Sequence, residues 1–190
     1  MATITVSRLF GSGGEEIAMR VCELLGYRYF DSQLMAQFAA ETGLTDDRFV
    51  NVLEDRQITV LQNTIRAAYR QGNLVILGRG GQVLLKDNSD VLHVRVVASL
   101  ERRIERVQER MHTDREGAWQ MIFQRDEGSA GYLKRFYHVD WADPALYHMV
   151  LNTDRVTTEM AAQIIVTAVN HLPLPEVAQG LGDARRGDAM

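Results

Sequence analysis

The run from Ala2 to Leu25 constrains the fold more than any other. An alternating, β-branched stretch, "TITVS", enters a glycine-rich turn, "RLFGSGG", and leaves it as a helix. Ile17, Val21, Leu24 and Leu25 recur at helical spacing, and Gly26 stops the helix. The same order returns down the chain. "YRYFD" reads as a second strand ending at Asp31, followed by a helix, "SQLMAQFAAETG", with Ser32 as cap and Gly43 as stop. A long helical stretch follows from Thr45 to Arg70, broken at most once. "NLVILGRGG" and "VLHVRVV" are strands, and "SLERRIERVQERM" is a charged helix capped by Ser99. "DREGAWQMIFQRDEGSAGYLKRFYH" reads as helical in part, interrupted near Gly128 and Gly131. "YHMVLNT" is the last strand and "TTEMAAQIIVTAVNHL" the last amphipathic helix. Strands alternating with helices predict an α/β protein with a parallel sheet covered on both faces.

The 190 residues suffice for one domain, with 46% apolar and 24% charged residues as in an ordinary globule. That domain is expected over residues 1–172, and the Pro- and Gly-containing stretch 173–190 reads as a loose tail. A net charge of −4 argues against a nucleic-acid or cationic membrane surface. A single cysteine, Cys22, excludes an intramolecular disulfide and suits a reducing compartment. With no secretory leader and no apolar run of bilayer length, the expectation is a cytoplasmic protein.

A strand–glycine turn–helix is also how many proteins hold phosphate. Backbone N–H groups turn inward and the helix presents its positive end. Gly11, Ser12, Gly13, Gly14 and Glu15 occupy that place, and the glycines permit the close approach and positive φ that such a loop requires. The usual lysine after the last glycine is missing. Arg8, at the mouth of the strand, is the nearest cation able to grip two phosphate oxygens. Glu15 and Glu16 suit the helix dipole but repel an anion bound at the same end. Either one holds Mg²⁺ or accepts from a nearby arginine. The bland alternative is a strand–helix turn whose glycines serve packing.

Taken together, "SRLFGSGGEEIA", "YFDSQLM", "VILGRGG", "ERRIERVQER" and "DWADPALYHMVLNT" resemble the cytidylate kinase-like branch of the nucleoside monophosphate kinases, from Ile4 to about His171. The resemblance implies a P-loop NTPase-like parallel sheet, a helical nucleotide-binding flap over about 32–70 and a lid over about 112–140. It also implies ATP and Mg²⁺, a small-molecule nucleotide as partner, and a group in which "SR-x-FGSGG" commonly replaces the lysine loop. Asp31 and Ser32 match the pair at the monophosphate site, and Arg79 in "GRGG" matches the arginine on the acceptor phosphate. Arg125 and Asp126 match the "RD" that opens the lid. The kinase pattern has an aspartate where Leu77 stands. Further lid arginines are missing from the region of Gly128, Ser129 and Ala130, with Lys134 and Arg135 close behind.

The expected activity is phosphoryl transfer from ATP to a pyrimidine nucleotide such as CMP. Arg8, Arg125 and Arg106 are the catalytic cations, Gly11 to Glu15 hold the donor, and Asp31, Ser32 and Arg79 hold the acceptor. No metal ligand is assigned. Two alternatives stay open: a nucleotide-binding module that does not turn over, and a kinase for another small phosphorylated acceptor.

Arg102, Arg106 and Arg110 line one face of the charged helix, offset by Glu101, Glu105 and Glu109, over a stripe of Ile104, Val107 and Met111. The five histidines show no metal-like pairing and read as structural or surface residues. The aromatics Trp119, Phe123, Phe136, Tyr137 and Trp141 read as core of the lid region. The helix over Thr45–Arg70, through Val52, Ile58, Leu61 and Ile65, fits either a flap or a homodimer face.

Overall fold

The computed structural model describes residues 2–31 and 55–172. The Ser32 cap, the stop at Gly43, most of the flap and the tail lie outside those residues. Five strands form one parallel sheet in the order β2-β3-β1-β4-β5. They are β1 (Thr3–Arg8), β2 (Arg28–Phe30), β3 (Leu74–Leu77), β4 (Val91–Val97) and β5 (Met149–Asn152). The helices are α1 (Gly14–Leu25), α2 (Asp55–Arg70), the single turn α3 (Gly81–Leu84), α4 (Leu100–Met111), α5 (Arg115–Tyr137) and α6 (Thr158–Asn170). Among the described residues no helix is long and apolar enough to cross a membrane.

The two faces of the central strands differ, and this difference shapes the site. Side chains alternate across a strand. Ile4 and Val6 on β1, with Leu92, Val94 and Val96 on β4, pack against Ile17 and Val21 of α1 and Ile165 of α6. Each such residue, fully buried, contributes about 1.5–3 kcal/mol. The opposite face of the same strands is polar, with Thr3, Thr5 and Ser7 beside His93 and Arg95, all buried. In the parallel register Thr5 lies beside His93 and Ser7 beside Arg95. Next to this polar row, Ile76 and Leu74 of β3 restore an apolar surface, which Ile65 and Ala68 of α2 cover.

Buried polar groups need partners, and this row finds most of them, with Thr3 Oγ1 and His93 Nε2 left without one among the described residues. Thr5 Oγ1 and His93 Nδ1 are 2.8 Å apart. The His93 ring stacks on His148, centroids 4.8 Å apart. The His93 backbone N–H donates to His148 Nδ1 at 3.0 Å, and the His148 N–H donates to the His93 carbonyl at 2.8 Å. These two histidines therefore form a stacked pair, His93 buried and His148 exposed. Burial, then the neighbouring His148, pushes the His93 imidazole down to about 4. Above pH 6.5 the folded and unfolded chains are both neutral here. As pH falls from 6.5 toward 4 the unfolded chain takes the proton first, so stability is lost across that window, by up to about 3 kcal/mol. Thermal unfolding between pH 4 and 7 should therefore show a falling Tm that flattens in His93→Gln. An equal slope in both proteins would refute the assignment.

Sequence cues set most helix ends. Ser99, Asp114 and Thr157 cap α4, α5 and α6 by accepting from the backbone N–H groups of Arg102, Gly117 and Met160. The expected break in the fourth long helix is absent: α5 runs through Gly128 and Gly131 without interruption. Glycine weakens a helix by about 1 kcal/mol but does not break it. A Cβ at either position would meet nothing within 4 Å. The aromatic assignment also needs correcting. Trp119 and Phe123 are 41% and 50% exposed, stacked on each other on the surface of α5, whereas Trp141 is buried. Met111 likewise leaves the expected stripe, at 42% exposure, while Ile104 and Val107 stay buried.

Candidate functional site

The site lies outside the carboxyl ends of β1, β2 and β3, where an open α/β sheet places its ligands. Two hollows meet there, separated by Arg8, the phosphate-type loop and the first turn of α1.

The first hollow, of about 600 Å³, lies over the glycine loop. Gly11 and Gly13 hold φ of +79° and +84°, and Gly13 precedes α1 with no side-chain cap, leaving the first N–H groups of the helix to a ligand. Ser12 is fully buried and turns its hydroxyl away to donate to the Val96 carbonyl. Arg106, from α4, borders the loop: its Nη1 is 3.7 Å from where a Cβ on Gly13 would stand. It is held by Thr153, to whose Oγ1 and carbonyl oxygen it donates at 2.9 Å each. Thr153 Oγ1 in turn donates to the Ser12 carbonyl at 2.7 Å. Thr153 thus ties the loop to Arg106. It was missed in the sequence because its role exists only after β5 packs beside β4.

The second hollow is a cleft of about 570 Å³, bordered by Arg8, Asp31, Arg79, Arg125 and the inner face of α5. Arg8 threads between two glycines. A Cβ on Gly14 would lie 2.5 Å from Arg8 Cβ, and one on Gly78 would lie 2.7 Å from its guanidinium. Its head therefore faces the cleft beside Gly78. Glu15 accepts from Arg8 at 3.4 Å and from Arg110 at 2.9 Å, and Arg110 lies 3.5 Å from Glu16. Of the roles considered for this pair, accepting from nearby arginines is the one seen.

Arg79 sits at φ +59°, between Gly78 at +72° and Gly80 at +74°. A side-chain-bearing residue pays for this backbone, and such strain gathers at functional positions. Among the described residues its guanidinium has neither hydrogen bond nor ion pair. Arg125 also has no ion pair among the described residues, and it lies 5.3 Å from the centre of the Phe10 ring, whose other close cation is Arg110 at 5.2 Å. Asp126 faces inward as a strut. It accepts from the Phe10 backbone N–H at 2.9 Å and from Arg103 at 2.5 Å, with Arg103 only 10% exposed. Arg103 carries no local signal of its own: it stands among Arg102, Arg106 and Arg110, and only the packing of α5 on α4 buries it against Asp126. Arg102 itself is a surface residue paired with Glu105.

The structure therefore gathers Arg8, Glu15, Asp31, Arg79 and Arg125 at the cleft, and Gly11, Ser12, Gly13 and Arg106 at the loop. Gly14 backs onto Arg8 between the two. Lys134 is exposed and does not border either hollow, and Arg135 lies over the Phe136 ring, 5.1 Å from its centre. Ser32 lies outside the described residues. For Mg²⁺ the protein offers no cage: among the described residues no three His, Cys, Asp or Glu side chains cluster. Glu15 and Glu16 are engaged by arginines, and the Ser12 hydroxyl is committed to Val96. A magnesium ion here would arrive on the phosphates of a nucleotide, as a part of the substrate.

A five-stranded parallel sheet in this order, with a glycine loop at the first strand and an arginine-lined cleft beside it, defines an α/β protein of the P-loop kinase type. The family model described as the cytidylate kinase-like family matches residues 3–155, and the chain belongs to that family. It is similar to the cytidylate kinase of Pyrococcus horikoshii, 30% identical over 89% of this chain and 88% of that protein. Among solved structures, an uncharacterized protein from Eubacterium ventriosum aligns with a TM-score of 0.77 at 22% identity, covering 90% of this chain and 99% of its own. A shikimate kinase from Acinetobacter baumannii aligns at 0.53 and 17%, covering 90% and 93%. The two structural likenesses speak to the fold alone.

Proposed function

We propose that the protein transfers a phosphoryl group from MgATP to a nucleoside monophosphate, with CMP or another pyrimidine nucleotide as acceptor. The observation that carries this reading is the division of labour in the site. An uncapped, glycine-rich helix start faces one hollow, and three guanidinium groups face the adjoining one. The similarity to an archaeal cytidylate kinase supports the acceptor class.

In this reading the N–H groups at Gly13 and Gly14 receive the donor phosphates, with Arg106 alongside. Arg79 and Arg125 grip the acceptor phosphate. Arg8 sits on the boundary, where the transferred group passes. Phosphoryl transfer is catalysed by positioning and by positive charge on the moving group, so no general base is required. Arg8 takes the place of the loop lysine, with a planar fork in place of a point charge.

ADP release from ATP and Mg²⁺, measured with each nucleoside monophosphate in turn, tests the proposal. Turnover with CMP or UMP above the background without acceptor is the expected result. Nucleotide binding with no ADP formed would instead mark a binding module on a kinase frame, which the engagement of Arg8 and Arg110 by Glu15 makes the natural second reading.

A further inference from the structure

The polar face of the sheet reaches the cleft floor, and its hydrogen bonds do not close there. Arg95, buried on β4, has no carboxylate partner among the described residues. It donates to the Trp141 carbonyl and, at 2.9 Å, to Tyr147 Oη, and its guanidinium stacks on both rings, 4.5 and 5.3 Å from their centres. Tyr147 Oη spends its one proton on the Trp141 carbonyl at 2.9 Å. Trp141 Nε1 spends its own on Ser7 Oγ at 2.8 Å. The network therefore fixes three side chains behind the cleft and leaves two groups in front of it with capacity to spare.

One is the Ser7 hydroxyl, which accepts from Trp141 and whose own proton is held only by a long contact, 3.4 Å to Tyr147 Oη, that a better acceptor can displace. The other is Gln82. It is 2% exposed, it borders the cleft, and among the described residues its one hydrogen bond is a long one, 3.5 Å from Nε2 to Tyr147 Oη. Oε1 has no partner, yet it is not among the buried polar atoms sealed off without one. Its carbonyl therefore opens on the cleft. A carboxamide oxygen that opens on the cleft with no protein partner is available to accept from a ligand in place of water.

We infer that Gln82, with Ser7 beside it, is the residue that reads the acceptor. Its carbonyl accepts an N–H from the polar edge of the base while the Ser7 hydroxyl donates to the neighbouring acceptor atom. An amide beside a rotatable hydroxyl matches an edge that carries a donor next to an acceptor, as a pyrimidine does at its ring nitrogen and exocyclic group. Arg95 acts through Tyr147 and Trp141, positioning this floor without touching the ligand. This inference rests on the nucleotide-acceptor reading above.

Calorimetric titration of the wild type and of Gln82→Met with CMP, UMP and inorganic phosphate tests it, with ATP affinity and Tm as controls on folding. Methionine keeps the length of the side chain and removes both polar atoms. The expected result is a loss of about tenfold or more in affinity for the preferred pyrimidine nucleotide. Affinity for phosphate and ATP should not change. Equal nucleotide affinity in the two proteins overturns the role of Gln82 and leaves the kinase reading standing. A wild type that binds CMP and UMP no better than inorganic phosphate overturns both. If Gln82→Met lowers Tm, Gln82→Asn, which keeps the amide but withdraws it by one methylene, must show the same selective loss.

Discussion

Replacing Arg79 with alanine is expected to lower kcat/KM for the nucleotide acceptor by about 10²–10³, the usual cost of removing one preorganised group that meets charge in the transition state. ATP affinity should stay within a factor of about two, because Arg79 stands at the cleft and not over the glycine loop. The melting temperature should hardly move. Arg79 has no ion pair or hydrogen bond among the described residues to lose, and alanine inherits the same strained backbone at φ +59°. Arg79→Lys should recover part of the rate, since it restores the charge without the bidentate fork. Steady-state kinetics with varied acceptor decides the matter. A variant that keeps full kcat/KM would remove Arg79 from the acceptor site.

Asp126→Ala is expected to act on the fold in the opposite proportion. The Asp126 carboxylate is 20% exposed and its partner Arg103 is 10% exposed. Removing it leaves the Phe10 N–H with no partner, and the Arg103 guanidinium with only a 3.4 Å contact to the Phe10 carbonyl and no counter-charge, in a largely dry setting. Breaking a buried pair on one side costs about 3–5 kcal/mol, which for a chain of this size lowers Tm by roughly 10 °C. The double variant Arg103→Leu with Asp126→Leu should recover much of that loss, since neither charge is then stranded. If Asp126→Ala melts like the wild type but has lost activity, Asp126 serves catalysis directly and the strut assignment fails.

The parts of this architecture that were legible in the sequence are those written locally. β1 and β4 announce themselves by β-branched residues, the loop by three glycines within four positions, α4 by its cap at Ser99 and α6 by its amphipathic pattern. Arg79 was legible because two glycine neighbours frame it. What stayed hidden depends on contacts between distant segments. Thr153 matters through Ser12, and Arg103 through Asp126, on α5. Gln82 sits in a four-residue helix too short to leave a periodic signal, and its meaning comes from Tyr147 far along the chain. The continuity of α5 through Gly128 and Gly131 was hidden for another reason: helix propensity is a weak prior, and packing at Ala118, Ile122 and Leu133 outweighs it.

Glu15 carries one more implication. A single carboxylate accepts Arg8 from the arginine-lined cleft on one oxygen and Arg110 from the hollow over the glycine loop on the other. The two hollows therefore share a counterion, and whatever draws one arginine toward a phosphate alters the hold on its rival. Such coupling is reciprocal by thermodynamic necessity: a donor that changes acceptor affinity by some factor is itself changed by that factor. With Arg8, Arg110 and Glu15 each about a third exposed, solvent screens the pairs to less than about 1 kcal/mol apiece. The linkage is thus modest, a matter of a few-fold, and it lets one side chain couple the occupancy of the two hollows.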